Sequence, residues 1–355
     1  MNATGSLGVL IPTRNSAVLL PRYLEALEAW LDMATEVVVV DSFSSDGTLE
    51  LLKTRLRHPR VQFLSHPPGL YASWNFGIQH LQTEYAYIAT VCDTITRGGM
   101  EQLLATALSH QSDVVISKPN MHALDGRPVE IEWPIDDVIQ TLGIRSPRTL
   151  RRLEAVAFAF FHSTGALTGS CASDLFRTAC LKRHPFPTGI GSGADGVWSI
   201  LRAAEVKWTV VSEKFSTFTI HPHFATAEDR LRDQEIKGAD EILAEAVNEW
   251  QRSNLVTEAD LERLGCAEGL RLQRRFVENR AALDRCRKNR FPWILNPRAW
   301  LLRTQRQRAR ARLHLWKMNA LCAAGCRANA AGRMAGDGHY TRVQPSILHA
   351  HGFDI

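Results

Sequence analysis

Short apolar runs alternate with amphipathic segments through the first half of the chain. Leu7–Ile11 and Glu36–Val40 are two such runs, and the second contains four consecutive valines without polar alternation. A strand that is apolar on both sides is typical of a parallel sheet covered by helices. Between these runs Pro21 lies where a helix would begin, a position at which its missing N–H is harmless. Leucines recur there at near-helical spacing, at Leu20, Leu24, Leu27 and Leu31.

The same alternation continues along the chain and predicts the order of the elements. Further strands are predicted at Val61–Leu64, Tyr85–Val91, Asp113–Ser117, Lys207–Val211 and Phe215–Ile220. Helices are predicted from Ser45 onward, near Tyr71, at Met100–His110, Asp136–Leu142, Pro147–Phe161 and Asp174–His184, and from Asp195 to about Ala204. Strand and helix alternating in this way predict an α/β fold with a doubly wound, mostly parallel sheet.

Polar clusters follow three of the predicted strands. They are Pro12–Asn15, Asp41-Ser42 and Cys92-Asp93-Thr94. In open α/β sheets, ligands bind beyond the carboxyl ends of the strands. The sequence therefore predicts a nucleotide site at this edge of the sheet.

Composition narrows the class of protein. The chain has 355 residues, 45% of them hydrophobic and 22% charged, which suffices for a large globular core. No apolar run approaches the ~18 residues of a membrane-spanning helix, and the first residues do not resemble a signal peptide. Seven cysteines without a Cys-x-x-Cys pair indicate reduced thiols. We expect a cytoplasmic protein, either free or peripheral on the membrane.

Positive charge is concentrated in the C-terminal part. Between Arg271 and Lys317 there are fifteen Arg and Lys residues and two acidic ones, whereas the whole chain has a net charge of +5. We therefore divide the chain into residues 1–225 and a helical, basic region 226–355, whose tail after Ala330 is predicted to be poorly ordered. Three tryptophans lie among the arginines. They favour a surface of anionic lipids or a helical cap packed on the first domain; nucleic acid is not expected as a partner.

Four segments, taken in order, resemble the family 2 glycosyltransferases of GT-A fold. They are Val9–Asn15, Val37–Ser42 with Ser45–Thr48, Gly69–Gly77 and Tyr87–Thr94. The resemblance covers roughly residues 7–222. It implies a GT-A fold, here with a helical C-terminal extension, and an enzyme that moves a sugar from a nucleoside-diphosphate-sugar donor to a hydroxyl of a glycan or lipid-linked acceptor. It also implies a single displacement that inverts the anomeric carbon.

The matched segments imply which residues contact the donor. Asp41, at the end of a buried strand, can accept hydrogen bonds from a base or ribose, although it could instead be a turn or capping residue. Arg14 is available to the base or the diphosphate, with an ordinary surface arginine as the alternative. The full set predicted to bind the nucleotide sugar is Pro12, Thr13, Arg14, Asn15, Asp41, Ser42, Trp74, Asn75 and Asp93.

A divalent cation, Mn²⁺ or Mg²⁺, is implied because the family holds one with an Asp-x-Asp motif. This chain has Cys92-Asp93-Thr94 instead. Asp93 would either bind metal with waters and phosphate oxygens completing the shell, or belong to a metal-independent or inactive site. His221, after the last predicted strand, is the second candidate ligand, with His223 as its rival.

The resemblance also implies a general base and an acceptor side. In the segment Gly191–Trp198, Asp195 matches the second acid of the family's Glu-Asp pair, and Ala194 replaces the first. A carboxylate there would remove the acceptor's proton; the alternative is that Asp195 only caps the following helix. Gly169, Ser170 and Trp198 are predicted to contact the acceptor, although Trp198 could equally be a core residue.

Two other classes of protein stay open. A sugar nucleotidyltransferase shares the doubly wound sheet but would carry a Gly-rich signature with a lysine after the first strand, which Pro12–Asn15 lacks. A non-catalytic nucleotide or carbohydrate binder on a degenerate scaffold is suggested by the replacements Cys92, Thr94 and Ala194. The products formed, or the failure to form any, separate these classes.

Overall fold

A computed structural model describes residues 5–130, 133–161, 167–168, 170–191, 193–220 and 239–264 of the chain. The strands are β1 (Leu7–Thr13), β2 (Glu36–Asp41), β3 (Val61–Ser65), β4 (Tyr85–Ile88), β5 (Thr94–Ile95), β6 (Val114–Ile116), β7 (Asn120–Ala123), β8 (Arg148–Thr149), β9 (Asp174–Arg177), β10 (Trp208–Val210) and β11 (Ser216–Ile220). The helices are α1 (Leu20–Glu28), α2 (Thr48–Arg55), α3 (Leu70–His80), α4 (Arg97–His110), α5 (Pro134–Leu142), α6 (Arg152–Phe161), α7 (Thr178–Arg183), α8 (Ala194–Arg202), α9 (Ala239–Arg252) and α10 (Glu258–Arg263). Among the described residues, no helix is both long enough and apolar enough to cross a membrane.

Eight strands form the central sheet, in the order β3-β2-β1-β4-β9-β6-β10-β8. β3, β2, β1 and β4 pair in parallel, as do β6 and β10. β9 runs antiparallel between β4 and β6, and β8 is antiparallel to β10 at the edge. The predicted α/β, mostly parallel sheet is therefore confirmed.

Residues Asp174–Arg177 correct the prediction of one helix from Asp174 to His184. They form strand β9, and the helix, α7, begins only at Thr178. Leu175 and Phe176 are almost completely buried, one on each side of the sheet. Pairing with β4 and β6 satisfies the backbone of this segment from both sides.

Both faces of the sheet are buried, as the valine run of β2 predicted. Val38 and Val40 belong to one hydrophobic cluster, and Val37 and Val39 belong to the other. On the first side α3 lies very close to the sheet at Gly77, because a Cβ there would be 2.3 Å from Leu10 Cδ1. This close approach places the N-terminal half of α3 against the carboxyl ends of β1 and β2.

The described part of the C-terminal region, residues 239–264, packs into the core of the first domain. Trp250 of α9 is fully buried, and its Nε1 donates to the Leu201 carbonyl on α8 at 3.0 Å. Val247 and Leu261 belong to the same hydrophobic cluster as β1 and β2 residues. The boundary predicted at residue 225 therefore does not separate two cores within the described residues. The basic segment 271–317 and the tail lie outside them, so their predicted roles stay predictions.

Candidate functional site

The loops that follow β1 and β2 are joined by hydrogen bonds at the carboxyl edge of the sheet. The Asn15 backbone N–H donates to Ser44 Oγ at 2.9 Å, and the Ser45 N–H donates to Asn15 Oδ1 at 2.9 Å. The Ala17 N–H donates to Asp46 Oδ2 at 3.0 Å. Two loops from neighbouring strands thus form one rim. Six of the nine residues predicted to bind the donor lie in these loops or at the strand ends beside them: Pro12, Thr13, Arg14, Asn15, Asp41 and Ser42.

Asp41 lies at the base of this rim and is 2% exposed. Its carboxylate accepts from the Ser44 N–H at 2.9 Å and from the Ser44 hydroxyl at 2.5 Å, so it does hold a turn, as the alternative interpretation proposed. Thr13 is its register partner on β1, and the buried Thr13 hydroxyl has no hydrogen-bond partner within the described residues. Ser42 Oγ lies 2.9 Å from Ser73 Oγ on α3. Donor binding by these residues stays a prediction.

Two residues of the rim have a left-handed backbone. Asn15 has a φ of 46° and Phe43 a φ of 56°. Asparagine tolerates this region, but a bulky residue there is strained. Phe43 is also 60% exposed, so burial of its ring does not offset the strain. Strained residues persist where the surrounding structure fixes them, and they cluster at binding sites.

Helix α3 contains Trp74 and Asn75, both predicted to bind the donor. The Asn75 amide donates to the Phe186 carbonyl at 2.8 Å and accepts from the Phe186 N–H at 2.9 Å. Trp74 is 3% exposed and packs edge-on against Tyr71 and Phe186, with ring centroids 4.7 and 5.6 Å away. The structure gives both side chains an internal role, holding the segment before α8 against α3, and does not support their contact with the donor.

Asp93 lies beyond the end of β4 and ties it to strand β11. Its Oδ1 accepts from the Thr219 N–H at 3.0 Å, and its Oδ2 accepts from the Thr90 hydroxyl at 2.6 Å. Thr219 Oγ1 also donates to the Cys92 carbonyl at 2.9 Å. Burial raises the pKa of Asp93 to about 7, against the opposing effect of these two hydrogen bonds. Burial raises the pKa of the Cys92 thiol to about 11, so this thiol is neutral at physiological pH.

A divalent cation was implied at this strand end. Within the described residues, no group of three or more His, Cys, Asp or Glu side chains is arranged to hold a metal ion. Asp93 uses both carboxyl oxygens within the protein, and Cys92 and Thr94 add no charge, so these residues do not fit a cation held by side chains alone. His221 lies outside the described residues. The predicted metal dependence, with Asp93 and His221 as ligands, therefore stays a prediction.

Asp195 lies in the first turn of α8, beyond the sheet. Its Oδ1 accepts from the Gly196 N–H at 2.8 Å, and its Oδ2 lies 3.8 Å from the Cys171 Sγ. The Tyr71 side chain of α3 also lowers the pKa of the Asp195 carboxyl. Burial raises the pKa of Asp195 above its usual value, and these groups oppose the rise. The group is a stronger base than a free aspartate, yet it has hydrogen bonds that favour its ionised form.

Cys171 shows that Asp93 and Asp195 lie near each other. Burial raises the pKa of its thiol well above the usual range, and the charges of Asp195, Asp174 and Asp93 raise it further. The strand that ends at Asp41 lies one strand further along, because β1 separates β2 from β4. Asp41 and Asp93 thus follow strands that end at the same edge of the sheet, whereas a cleft shared by these two acids and Asp195 stays a prediction.

Two of the three residues predicted to contact the acceptor, Trp198 and Ser170, are buried in the structure. Trp198 is 1% exposed, and its Nε1 donates to the His184 carbonyl at 2.6 Å. Its ring packs on Phe186 and Trp208, with centroids 5.4 and 5.8 Å away. The prediction of Trp198 as an acceptor contact is wrong, and the core interpretation is correct. Ser170 is buried, and its hydroxyl accepts from the Ala172 N–H at 3.1 Å, capping a short 3₁₀ turn. Gly169 lies outside the described residues.

Sequence reasoning missed Tyr71, Cys171 and Thr219, the side chains and backbone groups that act on the two acids. None of them has a local signal, because each acts on a residue at least 24 positions away. A half-buried aromatic pair was also missed. Trp133 and Phe218 have ring centroids 6.4 Å apart, and Trp133 Nε1 donates to the Thr168 carbonyl at 3.0 Å.

Comparisons with known proteins agree with the fold. Residues 8–168 match the family described as glycosyl transferase family 2. Among solved structures, the chain resembles TarS 1-349 of S. aureus in complex with UDP-GlcNAc, with a TM-score of 0.50, 20% identity, and coverage of 76% of this chain and 81% of that one. TarS 1-349 in complex with UDP gives a TM-score of 0.49 and 19% identity, covering 95% and 93%. A search of curated proteins finds no match. Residues 8–168 thus match glycosyl transferase family 2, and the chain has the GT-A fold of a glycosyltransferase.

Proposed function

We propose that the protein transfers a sugar from a nucleoside-diphosphate-sugar donor to an acceptor hydroxyl, with inversion at the anomeric carbon and Asp195 as general base. Three observations support this. The family match covers the donor half of the sheet, and a protein of similar fold was solved with UDP-GlcNAc. Asp195 is a half-buried carboxylate that accepts a hydrogen bond from the Gly196 N–H and lies beside the Cys171 thiol.

The chemistry requires one bond to form as another breaks. The acceptor oxygen attacks the anomeric carbon from the side opposite the diphosphate, and the bond from that carbon to the phosphate oxygen breaks. The electron pair of this bond leaves with the nucleoside diphosphate. The acceptor's proton passes to the Asp195 carboxylate, which makes the attacking oxygen a better nucleophile. Attack and departure on opposite sides invert the carbon.

The environment of Asp195 is the observation that carries the proposal. A base in the acceptor's path must be ionised near neutral pH and must also be basic enough to accept a proton. Burial makes Asp195 more basic than a free aspartate, while the Gly196 N–H and the Tyr71 side chain stabilise its charge. The positive end of the α8 dipole acts in the same direction as these groups.

The acceptor is proposed to be a glycan or a lipid-linked glycan. This follows from the family and from the basic segment 271–317, which suits an anionic membrane surface. Such an acceptor would bring the enzyme to the cytoplasmic face of a membrane. Mn²⁺ or Mg²⁺ would supply charge on the departing diphosphate when bound. No step proposed for the residues of this chain depends on that ion.

The test compares Asp195→Asn with the wild type. A panel of nucleotide sugars that includes UDP-GlcNAc is first screened for thermal stabilisation, with and without Mn²⁺, because tight binding raises the melting temperature. Release of nucleoside diphosphate from the stabilising donor is then measured with a panel of acceptors. We expect the variant to lose about 10²–10⁴-fold in turnover and to bind the donor as before.

Asp32→Asn is the matched control. Asp32 is an exposed acid paired with Arg97 by a 2.6 Å contact and is not among the residues predicted to bind donor or acceptor, so turnover of this variant should equal that of the wild type. Equal turnover of the Asp195→Asn variant would show that Asp195 is not the base. The same assay tests the alternatives, since a nucleotidyltransferase would form pyrophosphate and a non-catalytic protein would bind donor without releasing nucleoside diphosphate.

A further inference from the structure

Trp133 and Phe218 form an aromatic pair that the core does not fully enclose. Their ring centroids are 6.4 Å apart, a usual separation for packed aromatic rings. Both residues are half-buried, so part of each is accessible to solvent. Ile220, two positions along β11 and therefore on the same face as Phe218, is 37% exposed and extends the apolar surface. A single exposed apolar residue is ordinary, so the position of this pair decides its meaning.

Phe218 lies in β11, the middle strand of the small sheet β5-β11-β7. The next residue, Thr219, donates its backbone N–H to Asp93 Oδ1 at 3.0 Å. β11 also packs against the 3₁₀ turn that begins at Cys171, whose Sγ lies 3.8 Å from Oδ2 of Asp195. The strand of Phe218 is therefore bonded to one of the two acids and packs on the turn that contacts the proposed base.

Trp133 is fixed by hydrogen bonds of its side chain and its backbone. Its Nε1 donates to the Thr168 carbonyl at 3.0 Å, three positions before Cys171. Its backbone N–H donates to Asp136 Oδ2 at 2.8 Å, at the start of α5. Lys118 pairs with the same carboxylate, and both of these side chains are mostly buried. The indole thus has a fixed position before any ligand binds, which lowers the entropic cost of binding.

The pair belongs to the half of the molecule opposite the donor rim. The rim is formed by the loops after β1 and β2, whereas β7 and β11 follow β6 and β10 in the chain. In the central sheet, β4 and β9 separate β1 from β6. In the proposed reaction, the acceptor approaches the anomeric carbon from the side opposite the diphosphate. An apolar surface on this half of the molecule suits the acceptor better than the donor.

We propose that Trp133 and Phe218 form the surface on which a sugar ring of the acceptor stacks. The inference deepens the proposed function and rests on it for its catalytic meaning. One face of a pyranose ring consists mainly of C–H groups and packs well on an aromatic ring, while the hydroxyls at the ring's edge stay free to react. Sites of this kind combine aromatic side chains with a few polar groups that fix the orientation of the ligand. Because neither ring is charged, the surface favours a neutral sugar ring over a phosphate group.

The first test is a titration of the Trp133 indole with simple glycosides. Protein labelled with ¹⁵N at the tryptophan Nε1 atoms is titrated by NMR with the methyl glycosides of glucose, galactose, mannose and N-acetylglucosamine, and Trp133→Phe identifies the Trp133 resonance. A single ring binds weakly, with a Kd of about 1–100 mM, so each glycoside is added to about 100 mM. We expect a saturable shift with at least one of them, a Kd raised about 3–10-fold in Phe218→Leu, and no saturable shift with glycerol.

The second test compares the two substrates in the turnover assay. Phe218→Leu and Trp133→Leu keep an apolar side chain but lose the aromatic face, so they should raise the KM for acceptor about 3–10-fold and leave the KM for donor unchanged. Phe218→Leu removes no hydrogen bond of the side chain, so it carries the test if Trp133→Leu does not fold.

Phe63→Leu is the matched control. Phe63 is also a half-buried aromatic residue, but it lies on β3 at the far edge of the central sheet. The same substitution there should leave both KM values unchanged. The inference is overturned if no glycoside shifts the Trp133 resonance, if Phe218→Leu leaves the Kd unchanged, if the KM for donor rises in place of that for acceptor, or if Phe63→Leu has an equal effect.

The titration needs neither donor nor turnover, so its outcome is separate from that of the proposed reaction. If Asp195→Asn transfers sugar at the wild-type rate while a glycoside binds at Trp133, the proposed base is wrong and the stacking surface stands. If Asp195→Asn is inactive and the glycosides leave the Trp133 resonance unchanged, the base stands and the stacking surface is lost.

Discussion

The backbone strain at Phe43, in the loop that follows β2, can be measured through protein stability. Its left-handed backbone, with a φ of 56°, is unfavourable for any residue with a Cβ atom. Replacement by glycine removes the Cβ and therefore the strain, whereas replacement by alanine keeps it. We predict that Phe43→Gly is more stable than Phe43→Ala. At most positions the order is the reverse, because glycine loses more backbone entropy on folding.

The size of the effect follows from two opposing contributions. A left-handed conformation costs an L-residue roughly 1–2 kcal/mol, and glycine loses about 0.5–1 kcal/mol of backbone entropy relative to alanine. The glycine variant should therefore exceed the alanine variant by about 0.5–1 kcal/mol in free energy of unfolding. Phe43 is 60% exposed, so the lost ring contacts cost at most about 1 kcal/mol. This loss is common to both variants and cancels in the comparison.

The assay is urea unfolding of both variants, with the midpoint and the slope fitted separately. Leu124 provides the control pair, since it is also exposed, at 53%, but is not one of the residues with a positive φ. There the alanine variant should be the more stable. If Phe43→Gly is no more stable than Phe43→Ala while the Leu124 pair behaves as stated, the rim does not hold Phe43 under strain.

Three further outcomes follow from burial and charge. Trp250→Ala should lower the free energy of unfolding of the main transition by about 3–5 kcal/mol, because Trp250 is fully buried in the shared core; a separate C-terminal domain would leave that transition unchanged. Trp198→Phe should leave the KM for acceptor unchanged, since the ring is 1% exposed; a raised KM in a stably folded variant would restore the acceptor role. The kcat/KM should rise with pH through the native pKa of Asp195. Because burial raises that pKa, the midpoint of this acid limb of the pH profile should lie above the usual 3.8. A midpoint at or below 3.8 would contradict Asp195 as the base.

The sheet could be predicted because its signals are local. The valines of β2 and the leucine spacing of α1 depend only on nearby residues, and the structure confirms both elements. β9 could not be predicted in the same way. Asp174–Arg177 is four residues long and continues into a helix, and its strand conformation comes from pairing with β4 and β6, which are distant in sequence.

The residues of the candidate site also divide into those with a local sequence signal and those without one. Asp41, Asp93 and Asp195 could be proposed from motifs, because strand ends and a Gly-rich segment mark them, and their roles stay predictions. Their hydrogen-bond partners were not found, since Thr219 reaches Asp93 across 126 positions. Trp198 was misassigned for a related reason. Its position beside the proposed base suggests stacking on a sugar ring, and only the structure shows that Phe186 and Trp208 bury it.

We propose that the donor's diphosphate lies between the rim formed by the loops after β1 and β2 and the carboxylate of Asp195. The most direct measurement is a crystal structure of the full chain soaked with UDP. We expect the nucleoside at the carboxyl ends of β1 and β2, beside Thr13 and Asp41, with the diphosphate extending toward α8. Electron density for UDP on any other surface, or an Asp195 carboxylate that opens away from the bound diphosphate, would contradict the account.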